Sequence, residues 1–270
     1  MFFQVDRKEL GLMSLLYKYY SDESQYALNN IENGLISFSP LDSLNDPFEG
    51  VGAYFYEVSD EEQKYWDSID ADLPKWVSKS IAEDCREMLN FKYRVFCTTK
   101  KYDNPLLWSY YANSHKGFCV GYEENSIKKV SDKIININYS GDMIHIDNID
   151  ETMYLQLLSV KAAEWSHEKE CRAIYTLQDS DVSAFNADVY YDEKRQCDNK
   201  ICILERKSQK TLCADKFIIK ECKPAVIYLG MKMECKKMRH LIGIARKFNI
   251  KVYFMRQAQD SFQFLPEEVL

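Results

Sequence analysis

The segment Trp165-Ser166-His167-Glu168-Lys169-Glu170-Cys171-Arg172 packs two carboxylates, a guanidinium and an imidazole together, and it runs straight into the apolar stretch Ala173-Ile174-Tyr175-Thr176-Leu177. Side chains alternate across a strand. If residues 168 to 176 are extended, Glu168, Glu170 and Arg172 therefore point to one face, and Cys171, Ala173 and Tyr175 to the other. Paired carboxylates raise at least one of their pKa values, and such a cluster can hold a substrate hydroxyl or stabilise a developing cation. The competing reading is an Arg–Glu network that only fixes the start of a strand.

A second segment with chemical potential is Leu106 to Gly117. Asn104-Pro105 is a good N-cap and first-turn pair, so the expected helix runs from there through His115 and ends at Gly117. On it, Trp108, Tyr111 and His115 share one face by their three- and four-residue spacing. That face can stack an aromatic ring or position a phosphate. It can equally be a core stripe with His115 near the helix C-terminus, where its protonated form suits the dipole. The loop Asn45-Asp46-Pro47-Phe48-Glu49-Gly50 offers further carboxylates on a backbone restrained by proline.

Other chemistries find less support. Zinc sites want ligand pairs at short spacing, and Cys197, Cys202, Cys213, Cys222, Cys235 and His240 form no tight pair. His167, Glu168 and Glu170 with Asp46 or Glu49 can ligate a divalent ion if the fold gathers them, the basis of a metal-dependent nuclease reading; no metal is expected. The chain lacks a Gly-x-Ser-x-Gly elbow, a Walker loop and a Gly-x-Gly-x-x-Gly. Gly230, at the end of an apolar run, is a turn rather than a phosphate loop.

The elements that must position these residues can be read along the chain. Strands are expected over 15–20, 35–39, 93–99, 118–122, 134–139, 171–177, 225–229 and 251–255, with two more within 201–219. A helix capped by Ser21 or Asp22 carries Tyr26, Ala27 and Ile31 and stops at Asn33-Gly34. Further helices cover 151–164, with Tyr154, Leu157, Leu158 and Ala162 on one stripe, and 233–248. Residues 59–92 form an acidic helical insertion or cap, and 178–200 a polar loop. The expected fold is one α+β domain over 1–270, a mixed central sheet with flanking helices.

Composition bounds the function class. The 270 residues are long enough for a sizeable core. Aromatics reach 14%, with 19 tyrosines, which suits ligand-lining as well as packing. A net charge of −7 argues against broad binding to a nucleic-acid backbone, though a local basic groove remains compatible with it. The charged N-terminus is unlike a signal peptide, and no apolar run approaches the roughly 20 residues that span a bilayer. The nine cysteines, an odd count without regular spacing, read as reduced thiols. A cytoplasmic protein without membrane contact is expected.

Three motifs together, Asn45-Asp46-Pro47-Phe48-Glu49, Trp108-Ser-x-Tyr-Ala-x-x-His115-x-Gly117 and Trp165-x-x-Glu168-x-Glu170-x-Arg172, resemble a large bacterial family known as a domain of unknown function. Tyr17-Lys18-Tyr19 and the C-terminal strand–Gly–helix–strand unit resemble its ends. A more distant resemblance is to ADP-ribosyltransferase-like folds. There an early strand carries a residue that holds NAD, a second strand bears Ser or Tyr beside the nicotinamide ribose, and a glutamate opening a later strand bonds the ribose hydroxyl. In this chain the corresponding order is Tyr17-Lys18-Tyr19, then Ser37 and Ser39, then Glu168-Lys169-Glu170. The first motif departs from the usual pattern, with Lys18 between tyrosines where His or Arg is common.

The resemblance implies an ADP-ribosyltransferase-like core and an NAD-using transferase or NAD-cleaving enzyme, of the kind that serves as a bacterial toxin or anti-phage effector. Glu170 would be the catalytic carboxylate and Glu168 its helper that readies the acceptor. Tyr17, Lys18, Tyr19, Ser37, Ser39, Trp108, Tyr110 and His115 would hold the nucleotide, and Arg172 would fix the carboxylates. The acceptor would be a protein or nucleic acid. The alternative is a non-catalytic module that senses a nucleotide or a partner in the same cleft.

Overall fold

Runs of β-branched and aromatic residues bounded by turn-formers make the framework. The computed structural model describes residues 14–50, 53–55, 64, 65, 68, 86, 88–146, 151–178, 181 and 217–270. In chain order the strands are β1 (Leu15–Tyr20), β2 (Leu35–Phe38), β3 (Ala53–Phe55), β4 (Tyr93–Thr99), β5 (Phe118–Glu123), β6 (Lys133–Asn136) and β7 (Asn138–Ser140). They continue as β8 (Ile144–Ile146), β9 (Val160–Ala162), β10 (Glu170–Thr176), β11 (Ile218–Glu221), β12 (Val226–Leu229), β13 (Lys251–Gln257) and β14 (Phe264–Glu268). The α-helices are α1 (Gln25–Glu32), α2 (Pro105–Tyr110), α3 (Glu124–Lys128), α4 (Glu151–Ser159) and α5 (Cys235–Phe248). Most of the helical region expected at 59–92, the loop at 178–200 and residues 201–216 lie outside the described residues.

Eight strands form one mixed sheet in the order β14-β13-β12-β5-β1-β4-β10-β6. Its one parallel pair, β12 with β13, flanks α5, which is the expected strand–helix–strand unit. One face of the sheet is apolar against α1 and α5: Leu16, Phe96, Val120, Ala173 and Ile227 meet Ala27, Ile31, Leu241 and Ile244. The opposite face is covered in two patches. Val95 and Ile174 pack with Met153, Leu157 and Leu158 of α4, while Tyr19, Cys119 and Tyr228 pack with Leu107 and Trp108 of α2. Among the described residues no helix is long and apolar enough to cross a membrane.

The sheet is not continuous at its centre. β1 pairs with β5 through all six of its residues, but with β4 only at Tyr17–Thr99. Further along the same edge of β4, Val95 is bridged instead by Ser39, which follows β2, with both backbone bonds at 2.8 Å. Between these two points the Cys97 carbonyl accepts from the Lys18 ammonium at 2.9 Å. β2 leaves to pair with β11 in a separate two-stranded sheet. The two limbs thus part at Cys97, and a side chain takes over from the backbone ladder.

Several elements end elsewhere than expected, each for a tertiary reason. The cap of α1 is Ser24, whose hydroxyl accepts from Ala27 N at 3.3 Å, not Ser21 or Asp22. Asp22 is taken up by Lys237 at 2.6 Å and Asn113 at 2.9 Å. The expected strand 134–139 is broken between β6 and β7, and the helix expected to reach 164 stops at Ser159, because Val160–Ala162 pairs with β7. α2 stops at Tyr110 because Asn113, Ser114 and His115 all adopt left-handed φ values of 44°, 53° and 71°. Such residues cost about 1–2 kcal/mol each.

The turn is held by a close backbone approach. Gly230 N donates to Gly117 O at 2.9 Å, and Lys232 N donates to His115 O at 3.0 Å. A Cβ on Gly230 would lie 2.2 Å from His115 O and 2.6 Å from Gly117 O. Gly230 is therefore a packing glycine in a turn, with its N–H already used. We expect Gly230→Ala to destabilise the fold by about 2–4 kcal/mol in urea denaturation, as overpacking against rigid backbone does. Gly141→Ala, whose Cβ would meet nothing within 4 Å, should change it by less than about 0.5 kcal/mol.

Candidate functional site

A cavity of about 140 Å³ opens where β1 and β4 part. The register explains which side chains it receives. Tyr17 pairs with Thr99 and Thr99 with Glu170, so these three share a face. Cys97 and Arg172, paired two residues on, share it too. This row lies between the two apolar patches of that face, bordered by Leu107 of α2 and by the Leu158 carbonyl of α4. Asn45 and Glu49 reach the cavity from the loop after β2, Tyr111 from the end of α2, Lys161 from β9 and Glu168 from the 3₁₀ turn Ala163–Glu168.

Glu168 thus arrives by a different route from the one its spacing implied. It is not in the strand. Lys169, at a left-handed φ of 48°, separates the 3₁₀ turn from β10, so Glu170 and Arg172 share a face as expected and Cys171, Ala173 and Tyr175 the other, while Glu168 falls outside the alternation. Glu168 and Glu170 nonetheless converge on one ammonium. Lys161 Nζ lies 2.6 Å from Glu168 Oε2 and 3.4 Å from Glu170 Oε2. Arg172 Nε donates to Glu170 Oε1 at 3.0 Å, and its Nη1 donates to Glu49 Oε1 at 2.5 Å and to the Leu158 carbonyl at 2.9 Å. Arg172 Nη2 is also 3.0 Å from Glu170 Oε1 but off the hydrogen-bonding direction. Tyr111 donates to Glu168 Oε1 at 2.5 Å while accepting from Asn45 Nδ2 at 2.9 Å. The backbone N–H of Glu170 donates to the Tyr139 hydroxyl at 2.8 Å.

Three carboxylates, Glu49, Glu168 and Glu170, face three cations, Lys18, Lys161 and Arg172, so the formal charges cancel. The two with resolved shifts are driven apart. Burial would push the Glu170 carboxyl up, but Arg172 and Lys161 outweigh it and hold Glu170 below its usual range. Burial pushes Glu49 up, Arg172 opposes, the nearby Glu170 charge adds, and Glu49 ends above its usual value. Carboxylates separated in this way are the arrangement that acid–base sites use. Burial also lowers the Lys18 ammonium and pushes the Cys97 thiol up to about 12, which keeps it from acting as a thiolate at neutral pH.

Of the residues expected to hold a nucleotide, Tyr17, Lys18 and Tyr19 line the cavity. The others do not. Ser37 is buried beside α1, its hydroxyl accepting from Asn30 at 2.7 Å, and Ser39 is tied by its backbone to Val95. Trp108 is a core residue, its indole N–H donating to the Tyr102 carbonyl at 2.8 Å and its ring set edge-on to Tyr19. Tyr110 is exposed and lies against His167, which in turn stacks near Trp165. The left-handed turn carries His115 away to Phe264, so Trp108, Tyr111 and His115 share no face. Asp46 and His167 do not line the cavity, and the described residues include no group of His, Cys, Asp or Glu placed to hold a metal ion.

Lys161 is the residue that sequence reasoning missed. Its one signal was position: on the helix expected there it falls four residues after Leu157 and three after Leu158, a lysine on an apolar stripe. Tyr111 was placed on a stacking face, not against a carboxylate.

A model of the family described as a protein of unknown function (DUF2971) matches residues 107–173. That span contains Tyr111, Lys161, Glu168, Glu170 and Arg172, but not the loop with Asn45 and Glu49. No curated protein and no solved structure matches the chain.

The buried charges make a prediction about stability. Glu170 titrates below its ordinary 4.5 in the folded state, so its stabilisation is present above that value and is lost as pH falls through the lower, folded-state one. We expect Glu170→Gln to cost about 3 kcal/mol near pH 7, because Arg172 and Lys161 lose a partner. In urea titrations the gap between parent and variant should close in acid. A gap that stays constant would contradict the assignment of Glu170 as ionised.

Proposed function

We propose that this chain is an NAD-using enzyme, an ADP-ribosyltransferase-like transferase or an NAD glycohydrolase, with Glu170 as the carboxylate facing the reacting sugar. The observation that carries this reading is the placement of an ionised, buried Glu170 on a cavity that opens between two parting strands and is also lined by Tyr17, Lys18 and Tyr19. Cavities that swallow a whole drug-sized ligand run to roughly 300–1,000 Å³. One of about 140 Å³ fits a ring-sized moiety such as a ribose, the remainder of the nucleotide lying outside. Lys161 and Arg172 are already paired with carboxylates and Lys18 donates to the Cys97 carbonyl, so the interior suits hydroxyls and developing positive charge better than a phosphate.

The chemistry follows. The bond between the ribose carbon and the nicotinamide nitrogen breaks, and its electron pair goes to nicotinamide, which leaves neutral. The ribosyl centre becomes oxocarbenium-like, and a fixed carboxylate in a water-poor site stabilises it. Water, or a hydroxyl or amine of a protein or nucleic-acid acceptor, then bonds to that carbon and gives up a proton. Lys161, Arg172 and Tyr111 act as positioning residues that hold the carboxylates. A bacterial toxin or anti-phage effector is the setting in which such an activity fits.

A second reading, a non-catalytic nucleotide- or partner-binding module, is favoured by one observation: both Glu170 oxygens are already paired with cations. Incubation with NAD separates the two. The enzyme reading expects nicotinamide release, falling at least about a hundredfold in Glu170→Gln. Saturable thermal stabilisation by NAD without any release would favour the sensor instead.

A further inference from the structure

Glu49 reaches the cavity from a turn built to hold it. Asp46 Oδ1 accepts from Phe48 N at 2.9 Å, and Glu49 N donates to the Asp46 carbonyl at 3.1 Å. Pro47 restrains the backbone inside the turn, and Gly50, at φ 71°, takes the chain away after it. The Glu49 side chain is 2% exposed. Its Oε1 accepts from Arg172, but Oε2 is buried with no hydrogen-bond partner among the described residues. The other two carboxylates differ. Glu168 has Tyr111 on one oxygen and Lys161 on the other, and Glu170 has Arg172 on one and Lys161 on the other.

A general base needs a lone pair free to take the proton. We propose that Glu49, through Oε2, is the proton acceptor of this cavity, whereas Glu170 stays paired and supplies only its field. This rests on the NAD-cleaving reading above. In that reaction the O–H bond of the attacking water or acceptor breaks as oxygen bonds the ribose carbon. The proton moves to Glu49 Oε2, and the electron pair of the breaking C–N bond leaves with nicotinamide. From Glu49, the proton passes to solvent.

The groups around Glu49 are Arg172 and Glu170 from β10, Lys161 from β9, Glu168 from the 3₁₀ turn, Lys18 from β1 and Cys97 from β4. Burial and the Glu170 charge raise Glu49 against the pull of Arg172, so the base is formed only as pH rises above its ordinary 4.5. The rate of nicotinamide release should therefore rise with pH along an acid limb that belongs to Glu49.

Two measurements on the full chain test this. Infrared difference spectra across pH should show a protonated carboxyl band in the parent that persists above pH 4.5, is absent from Glu49→Gln and moves to lower pH in Glu170→Gln, which loses the neighbouring charge that raises it. Nicotinamide release should fall about a hundredfold in Glu49→Gln with loss of the acid limb and little change in KM, and Glu49→Asp should restore part of the rate. An unchanged acid limb in Glu49→Gln, or the same carboxyl band persisting in it, overturns the proposal. If the parent releases no nicotinamide at any pH, the NAD reading falls, and the infrared arm alone then decides whether Glu49 holds the proton.

Discussion

Arg172 is fully buried on an interior strand, and a guanidinium in that position must be surrounded by acceptors or the fold does not form. The planar fork meets this demand in three directions, to Glu170 on its own strand, to Glu49 from a loop 123 residues earlier, and to the Leu158 carbonyl near the end of α4. A lysine, with one compact charge, would not tie the same three elements. Buried ion networks of this kind add little net stability, because desolvation offsets attraction. What the network does supply is geometry: it fixes where each carboxylate sits and, among the described residues, leaves Glu49 Oε2 without a hydrogen-bond partner.

The cavity depends on a second constraint, the parting of β1 from β4. A continuous ladder through Cys97 would close the space, and the Cys97 carbonyl would then accept from backbone. Here it accepts from Lys18. The apolar surroundings that lower the lysine, including the Phe96 ring 4.9 Å away, are part of the core that keeps the two limbs apart. Ser39 closes the edge beyond the gap, a structural role in the backbone in place of the ribose contact its position in the chain implied. The split sheet and the charge network therefore belong together, one making the space and the other its lining.

Much of the framework was legible because it rests on local signals. β1 and β4 follow from their aromatic and β-branched runs end to end, and alternation placed Glu170 and Arg172 on one face. What failed was set by distant partners. Nothing in residues 111–116 announces a left-handed turn, since the turn is held by Gly230, more than a hundred residues later. Asp22 was a plausible cap until Lys237 claimed it. β14 was missed because Pro266 lies inside it, and proline is tolerated there because β14 is the sheet's edge. Lys161 was hidden by a helix that yields to pairing with β7.

We propose that the space between β1 and β4 takes a ribosyl group against the carboxylates held by Arg172. A crystal structure grown in saturating ADP-ribose tests it most directly. The sugar ring is expected in the gap, with a ribose hydroxyl within hydrogen-bonding distance of Glu170 or of Glu49 Oε2. Ligand bound elsewhere on the molecule, or a gap that stays filled with water alone at saturation, would contradict it.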